Sequence, residues 1–204
     1  MEKVFAHIEQ NKQRYLDDLV RLASQPSISA TGEGVRECAA VLIDLMRTYG
    51  AEARLLEHEP HPFVYGEMSG RGARKTILIY GHYDVQPVEP LELWDSPPFE
   101  PRIRNGRMYG RGTADNKGQL LAHLFGAAAM AAVHGGLPVN VKFIFDGAEE
   151  SGSPGVDDFV RKHRDLLAAD MFYSSDGPVH TSGKPTLIFG VRGNLKMELH
   201  CRTA

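Results

Sequence analysis

Cysteine is nearly absent from this chain: among 204 residues there are two, Cys38 and Cys201. They stand far apart, with no neighbouring Cys or His at structural-zinc spacing. That excludes a disulfide framework and a zinc ribbon, and leaves two reduced thiols. Positive charge is not in surplus either. Lys and Arg number 23 against 26 Asp and Glu, a net charge of −3, and the basic residues are scattered, so no field for nucleic acid exists. No apolar stretch approaches the roughly 20 residues of a membrane span. The opening run Met1–His7 lacks the apolar core of a secretory signal. Together these shortages point to a cytoplasmic protein that engages neither nucleic acid nor membrane. With 42% apolar and 24% charged residues the chain has an ordinary globular balance, without repeats or low-complexity segments.

Hydrophobic spacing predicts a helix over residues 3–24, closed by Pro26, and a second over 35–49, followed by Gly50. Short strands are expected at 53–56 and 63–68. The run Thr76–Tyr80 is β-branched and apolar throughout, as in a strand buried on both faces of a parallel sheet. Five of the twelve prolines fall between 86 and 101, which must be loop. Asn105-Gly106 marks a hairpin. A helix of small residues is expected over 117–134, then a strand at 141–145, a helix over 155–167 and a strand at 171–173. Strand and helix alternate as in right-handed crossovers, so the expected fold is α/β. Its sheet is mainly parallel and doubly wound, with helices on both faces. From Leu187 to Leu199 apolar and polar residues alternate around Gly193-Asn194, an antiparallel hairpin pattern. We therefore divide the chain into a first domain, 1–185, and the beginning of a further domain, 186–204.

Groups fit for chemistry occur where these elements give out. His82 ends the first buried strand, Glu149 and Glu150 follow the second, and Asp176 follows the third. Asp115 lies in the loop that opens the helix between the first two. Ligands of open parallel sheets bind beyond the carboxyl ends of the strands, so the topology predicts that all five groups converge. Imidazole and carboxylates delivered by separate loops suit a divalent cation. Asp84, two residues beyond His82, is placed to accept the proton of the second ring nitrogen and fix its tautomer. Asp115 is able to bridge two cations, though a helix cap is the structural alternative. The phosphate-loop order is missing, because Lys117 precedes Gly118 and Gln119. Glu149 and Glu150 are neighbours that point in different directions, one toward metal and one toward substrate. Two solvated glutamates, and an Asx turn at Asp176, are the plainer alternatives. His180 and His200 follow no buried strand and read as surface or structural residues.

The ordered set Gly81-His82-Tyr83-Asp84-Val85-Gln86-Pro87, Tyr109-Gly110-Arg111-Gly112 through Asp115-Asn116-Lys117-Gly118, Glu149-Glu150-Ser151-Gly152 and Ser175-Asp176-Gly177 resembles the M20 family of co-catalytic zinc peptidases. The segment from Trp94 to Phe99 is most similar to its dipeptidase branch. The resemblance implies a two-zinc hydrolase that cleaves a dipeptide or, as in the family's deacylases, an N-acyl amino acid. Manganese or cobalt are alternatives to zinc. It implies that His82, Asp115 and Asp176 hold one ion, that Asp115 bridges to a second held by Glu150, that Glu149 is the general base, and that Asp84 orients His82. A non-catalytic scaffold retaining the fold is the rival from another class. Asn116 stands where the family commonly has Asp, after a peptide that is often cis. The resemblance further implies that a downstream histidine completes the second ion's ligands beyond a lid domain, through which the full-length protein forms a homodimer. Residues 1–204 alone are then expected to hold at most one zinc firmly and to show little activity.

Overall fold

The computed structural model describes residues 1–177 and, beyond them, 181–184, 186, 193, 195 and 197–202. The expected hairpin between Leu187 and Leu199, His180 and the expected second domain from 186 lie largely or wholly outside the described residues. His200, which is described, is exposed and paired with Glu198 at 3.1 Å.

The expected first helix is two: α1 (Glu2–Gln10) and α2 (Lys12–Ser24). The break falls at Asn11, whose side-chain amide donates to the His7 carbonyl at 2.8 Å. Asn is prone to this competition with the helical backbone, and hydrophobic spacing does not register it. α3 covers Val35–Thr48, β1 Glu52–Leu56, β2 Phe63–Met68 and β3 Thr76–His82. The proline-rich stretch is loop apart from a single 3-10 turn at Leu91–Leu93. β4 (Arg102–Arg104) and β5 (Arg107–Tyr109) form the expected hairpin. Asn105 and Gly106 both have positive φ, 51° and 73°, as a two-residue primed turn demands.

α4 runs Lys117–His134 and β6 Asn140–Asp146. The expected helix over 155–167 is interrupted at His163, giving α5 (Val156–Lys162) and α6 (Arg164–Leu167). β7 is Met171–Ser174.

The five-stranded sheet has the order β1-β2-β6-β3-β7. β3 pairs in parallel with both β6 and β7, the crossovers expected from the sequence. β2 and β1 extend the sheet antiparallel on the far side of β6, so it is mixed rather than mainly parallel. The reason is connection length: β1 and β2 are joined by a short loop, which only an antiparallel pair accommodates.

Helices do cover both faces. Along β6, Val141, Phe143 and Phe145 meet Leu42, Leu45 and Met46 of α3 and Leu120, Leu121 and Leu124 of α4 in one core. Ile144, between them, turns to the other face, where Phe63, Tyr65 and Leu78 pack on Phe159 and Leu167 of α5 and α6. This alternation is the two-residue period of a strand with both faces covered. β7 is the sheet's edge, and its Met171, Phe172 and Tyr173 are exposed. Because β3, β6 and β7 run in parallel, their carboxyl ends open on one side of the molecule.

Candidate metal centre

His82 is the last residue of β3 and fully buried. Its Nδ1 faces Asp84, 3.1 Å from the backbone carbonyl and 3.3 Å from Oδ1 of the carboxylate. In the neutral ring these acceptors favour the proton on Nδ1, which leaves Nε2 as the nitrogen available to a cation. The nearer of the two is the carbonyl, which the sequence reading had not singled out. Nε2 lies 3.0 Å from Asp115 Oδ1, 3.3 Å from Asp176 Oδ2 and 3.9 Å from Glu149 Oε2.

Two groups of ligand atoms, each within 4.8 Å of one another, share this nitrogen: His82 with Glu149 and Asp176, and His82 with Asp115 and Glu150. The two glutamates therefore fall into different groups around the one imidazole. All five groups picked out along the sequence meet in one place. Asp115 does not cap α4; Asn116 occupies the cap position, with no side-chain cap bond.

The donor set fits a divalent cation. Ligands about 2.0–2.1 Å from a tetrahedral zinc stand roughly 3.3 Å apart, close to the His82–Asp115 and His82–Asp176 separations. Charge points the same way. Among the described residues no Lys or Arg pairs with any of these carboxylates. Burial opposes a charge on His82, yet the hydrogen bond to Asp84 and the charges of Asp84, Glu149 and Asp176 prevail, and its pKa is pushed up to about 9. Burial, then carboxylate neighbours, also pushes Glu149 and Glu150 above the usual carboxylate range, with His82 countering in both and Gln86 in Glu150. Such a cluster attracts a cation.

The loop carrying the glutamates is clamped from beneath. Asp84, fully buried, accepts the Glu149 N–H at 3.1 Å and the Glu150 N–H at 3.0 Å. One residue thus fixes the histidine and both glutamates, a double role invisible in the His-x-Asp spacing. Asp146 accepts the Ala148 N–H at 2.8 Å and the Ser153 hydroxyl at 2.7 Å. Gln86 donates to Glu150 Oε2 at 2.7 Å. Buried Lys117 donates to the Gln25 carbonyl at 2.7 Å, tying the segment after α2 to the start of α4 beside Asp115. Sequence reasoning assigned no role to Gln86, Asp146 or Lys117. The only available signal was their adjacency to the motif residues.

At Gly147 a Cβ would lie 2.4 Å from the Tyr83 hydroxyl and 2.8 Å from the Pro62 carbonyl. These two are hydrogen-bonded to each other at 2.7 Å and buried, so neither yields freely. Gly147→Ala is therefore expected to shift the glutamate loop, weakening the binding of a divalent cation such as zinc at least about tenfold and destabilising the fold by about 1–3 kcal/mol. Chelator-competition titration and thermal melting measure the two effects. Unchanged zinc affinity would show that the close approach is not needed.

The sequence profile described as Peptidase family M20/M25/M40 matches residues 78–195, more than half of the chain, and includes His82, Asp84, Asp115, Glu149, Glu150 and Asp176. The chain belongs to this family. A human Beta-Ala-His dipeptidase is 29% identical over 99% of the chain, and a Cys-Gly metallodipeptidase of Schizosaccharomyces pombe is 32% identical over 95%. The crystal structure of an M20 family metallo-carboxypeptidase from Sulfolobus solfataricus superposes with a TM-score of 0.79 at 41% identity, covering 84% of this chain and 39% of that one. The chain spans 44% of the length of each of the two dipeptidases. The Asp115–Asn116 peptide is cis, as resemblance to this M20 family had implied. No helix among the described residues is long and apolar enough to cross a membrane.

Proposed function

We propose that the full-length protein is a metal-dependent dipeptidase that hydrolyses a dipeptide with two zinc ions. The observation that carries this reading is the gathering of four carboxylates into two groups that share one oriented imidazole, beyond the carboxyl ends of β3, β6 and β7. Its M20 membership and the names of its relatives, Beta-Ala-His and Cys-Gly dipeptidases, support the substrate class.

In this reading His82, Asp115 and Asp176 hold one ion, and Asp115 with Glu150 contributes to the second. Bound there, the ions would polarise the scissile carbonyl and acidify the attacking water. Glu149 Oε2 takes the proton released as the water oxygen bonds to the carbonyl carbon. It then delivers that proton to the amine nitrogen as the carbon–nitrogen bond breaks. Asp84 keeps His82 in one tautomer and Glu149 in one position throughout. Gln86 holds Glu150 beside Asp115. A homodimer formed through a lid domain is part of the same proposal.

Metal analysis of the purified full-length protein tests it. Two zinc ions per chain are expected, with dipeptide hydrolysis abolished by exhaustive chelation and restored by zinc, manganese or cobalt. Hydrolysis that persists after complete metal removal would refute the reading. Preference for N-acyl amino acids over dipeptides in the same assay would move the protein to the deacylase branch.

A further inference from the structure

Three loops bring their groups to His82, and a continuous line of side-chain amides joins two of them, those of Asp115 and Asp176, to the end of β3. The His82 backbone N–H donates to Asn116 Oδ1 at 3.3 Å. Asn116 Nδ2 donates to Gln119 Oε1 at 2.7 Å. Gln119 Nε2 then donates to two carbonyls, those of Ser175 and Gly177, each at 2.9 Å. Those carbonyls lie on either side of Asp176. The line thus runs from the end of β3, through the Asp115 loop and the first turn of α4, to the loop after β7.

Its polarity is set at every link. An amide nitrogen carries two hydrogens and its oxygen none. Flipping Gln119 would put its oxygen against two carbonyls, and flipping Asn116 would put its nitrogen against a backbone N–H. Asn116 is 2% exposed, so a lost partner there is not replaced by water. The backbone makes room for the link: a Cβ on Gly81 would lie 2.7 Å from Asn116 Oδ1. His123 Nε2 adds a contact of 2.6 Å to the Ser175 hydroxyl, holding the same loop from one turn further along α4.

We propose that Asn116 and Gln119 form an amide relay that sets Asp176 at coordinating distance from His82, with Gln119 a positioning residue that touches neither ion nor substrate. The inference rests on the reading of His82 and Asp176 as metal ligands. An aspartate at position 116 would still accept the His82 N–H but would present no hydrogen to Gln119. Asn116 and Gln119 therefore work as a pair, and neither alone spans the gap between β3 and the Asp176 loop.

The test is zinc affinity of the full-length protein, measured by competition with a chromophoric chelator, together with thermal melting of the zinc-free form. Gln119→Met keeps the length of the side chain and removes both donors. Asn116→Asp keeps the shape and removes one. Both are expected to weaken zinc binding about 10–100-fold, the usual effect of losing a partner that orients a ligand. In Gln119→Met the zinc-free melting temperature should stay within a few degrees of the parent, whereas the buried carboxylate of Asn116→Asp lowers it further. Affinity within twofold of the parent in either folded variant overturns the relay. Lowered melting with unchanged affinity assigns the pair a purely structural role and overturns it equally. A parent protein that holds no zinc removes the metal-site reading and the relay with it, which separates the two failures. Should one variant not fold, the other decides.

Discussion

Glu149→Gln should lower kcat for dipeptide hydrolysis by about 10²–10⁴-fold, the usual contribution of a positioned general base, while zinc content stays at that of the parent. The expectation follows from the division of labour around His82. Glu149 Oε2 stands 3.9 Å from His82 Nε2, against 3.0 and 3.3 Å for the oxygens of Asp115 and Asp176, so it is the most distant of the three. Its side chain is 37% exposed, open to a substrate's approach. What the fold needs from this residue is its backbone N–H, held by Asp84, and glutamine retains that. The variant should melt with the parent and bind substrate with a similar KM. Glu149→Ala tests the same assignment without the amide's hydrogen-bonding capacity. Parental turnover in either variant, with zinc intact, would remove the assigned base.

Asp84→Asn is expected to act more broadly, because Asp84 faces three partners from a fully buried position. Its Oδ1 stands 3.3 Å from His82 Nδ1 and accepts the Glu149 N–H, and its Oδ2 accepts the Glu150 N–H. Asparagine has one acceptor oxygen and one donor nitrogen, so in either orientation a buried backbone N–H faces an NH₂ group. An unsatisfied buried donor costs about 1–3 kcal/mol, equivalent for a protein of this size to a melting temperature lower by several degrees. The glutamate loop would also move relative to His82. Zinc affinity should fall about 10–100-fold, as for other residues that orient a metal-bound histidine. Unlike Glu149→Gln, this variant should lose zinc and activity together. Melting and zinc titration of the full-length variant measure both effects, and a variant indistinguishable from the parent in both would show that the clamp on the glutamate loop is dispensable.

Much of this was legible in the chain. Ile77–Tyr80 and, around Lys142, Val141–Phe145 are rich in large apolar residues because both faces of their strands are covered, and α4 appears with the bounds its small and apolar residues predict. The position of His82, Asp115, Glu149, Glu150 and Asp176 at element ends was enough to expect their convergence. Parallel strands of a crossover fold end on one side, so residues at those ends have nowhere else to meet. The breaks at Asn11 and His163 were not legible, since hydrophobic spacing continues across both. Nor was the antiparallel placement of β1 and β2, because strand order is not carried by the spacing within any one strand.

Residue type and order were thus sufficient for most of the elements, for the inventory of candidate ligand groups and for the edge of the sheet on which they gather. These are local properties, each settled by a few neighbours along the chain. The folded molecule alone revealed which atom faces which: Asp84 beneath both glutamates, Gln86 on Glu150, and the amides of Asn116 and Gln119 running toward Asp176. Hydrogen bonds depend on direction and on separations of about 3 Å. Residues 56 or 65 positions apart reach such separations only once the sheet has been packed between its helices.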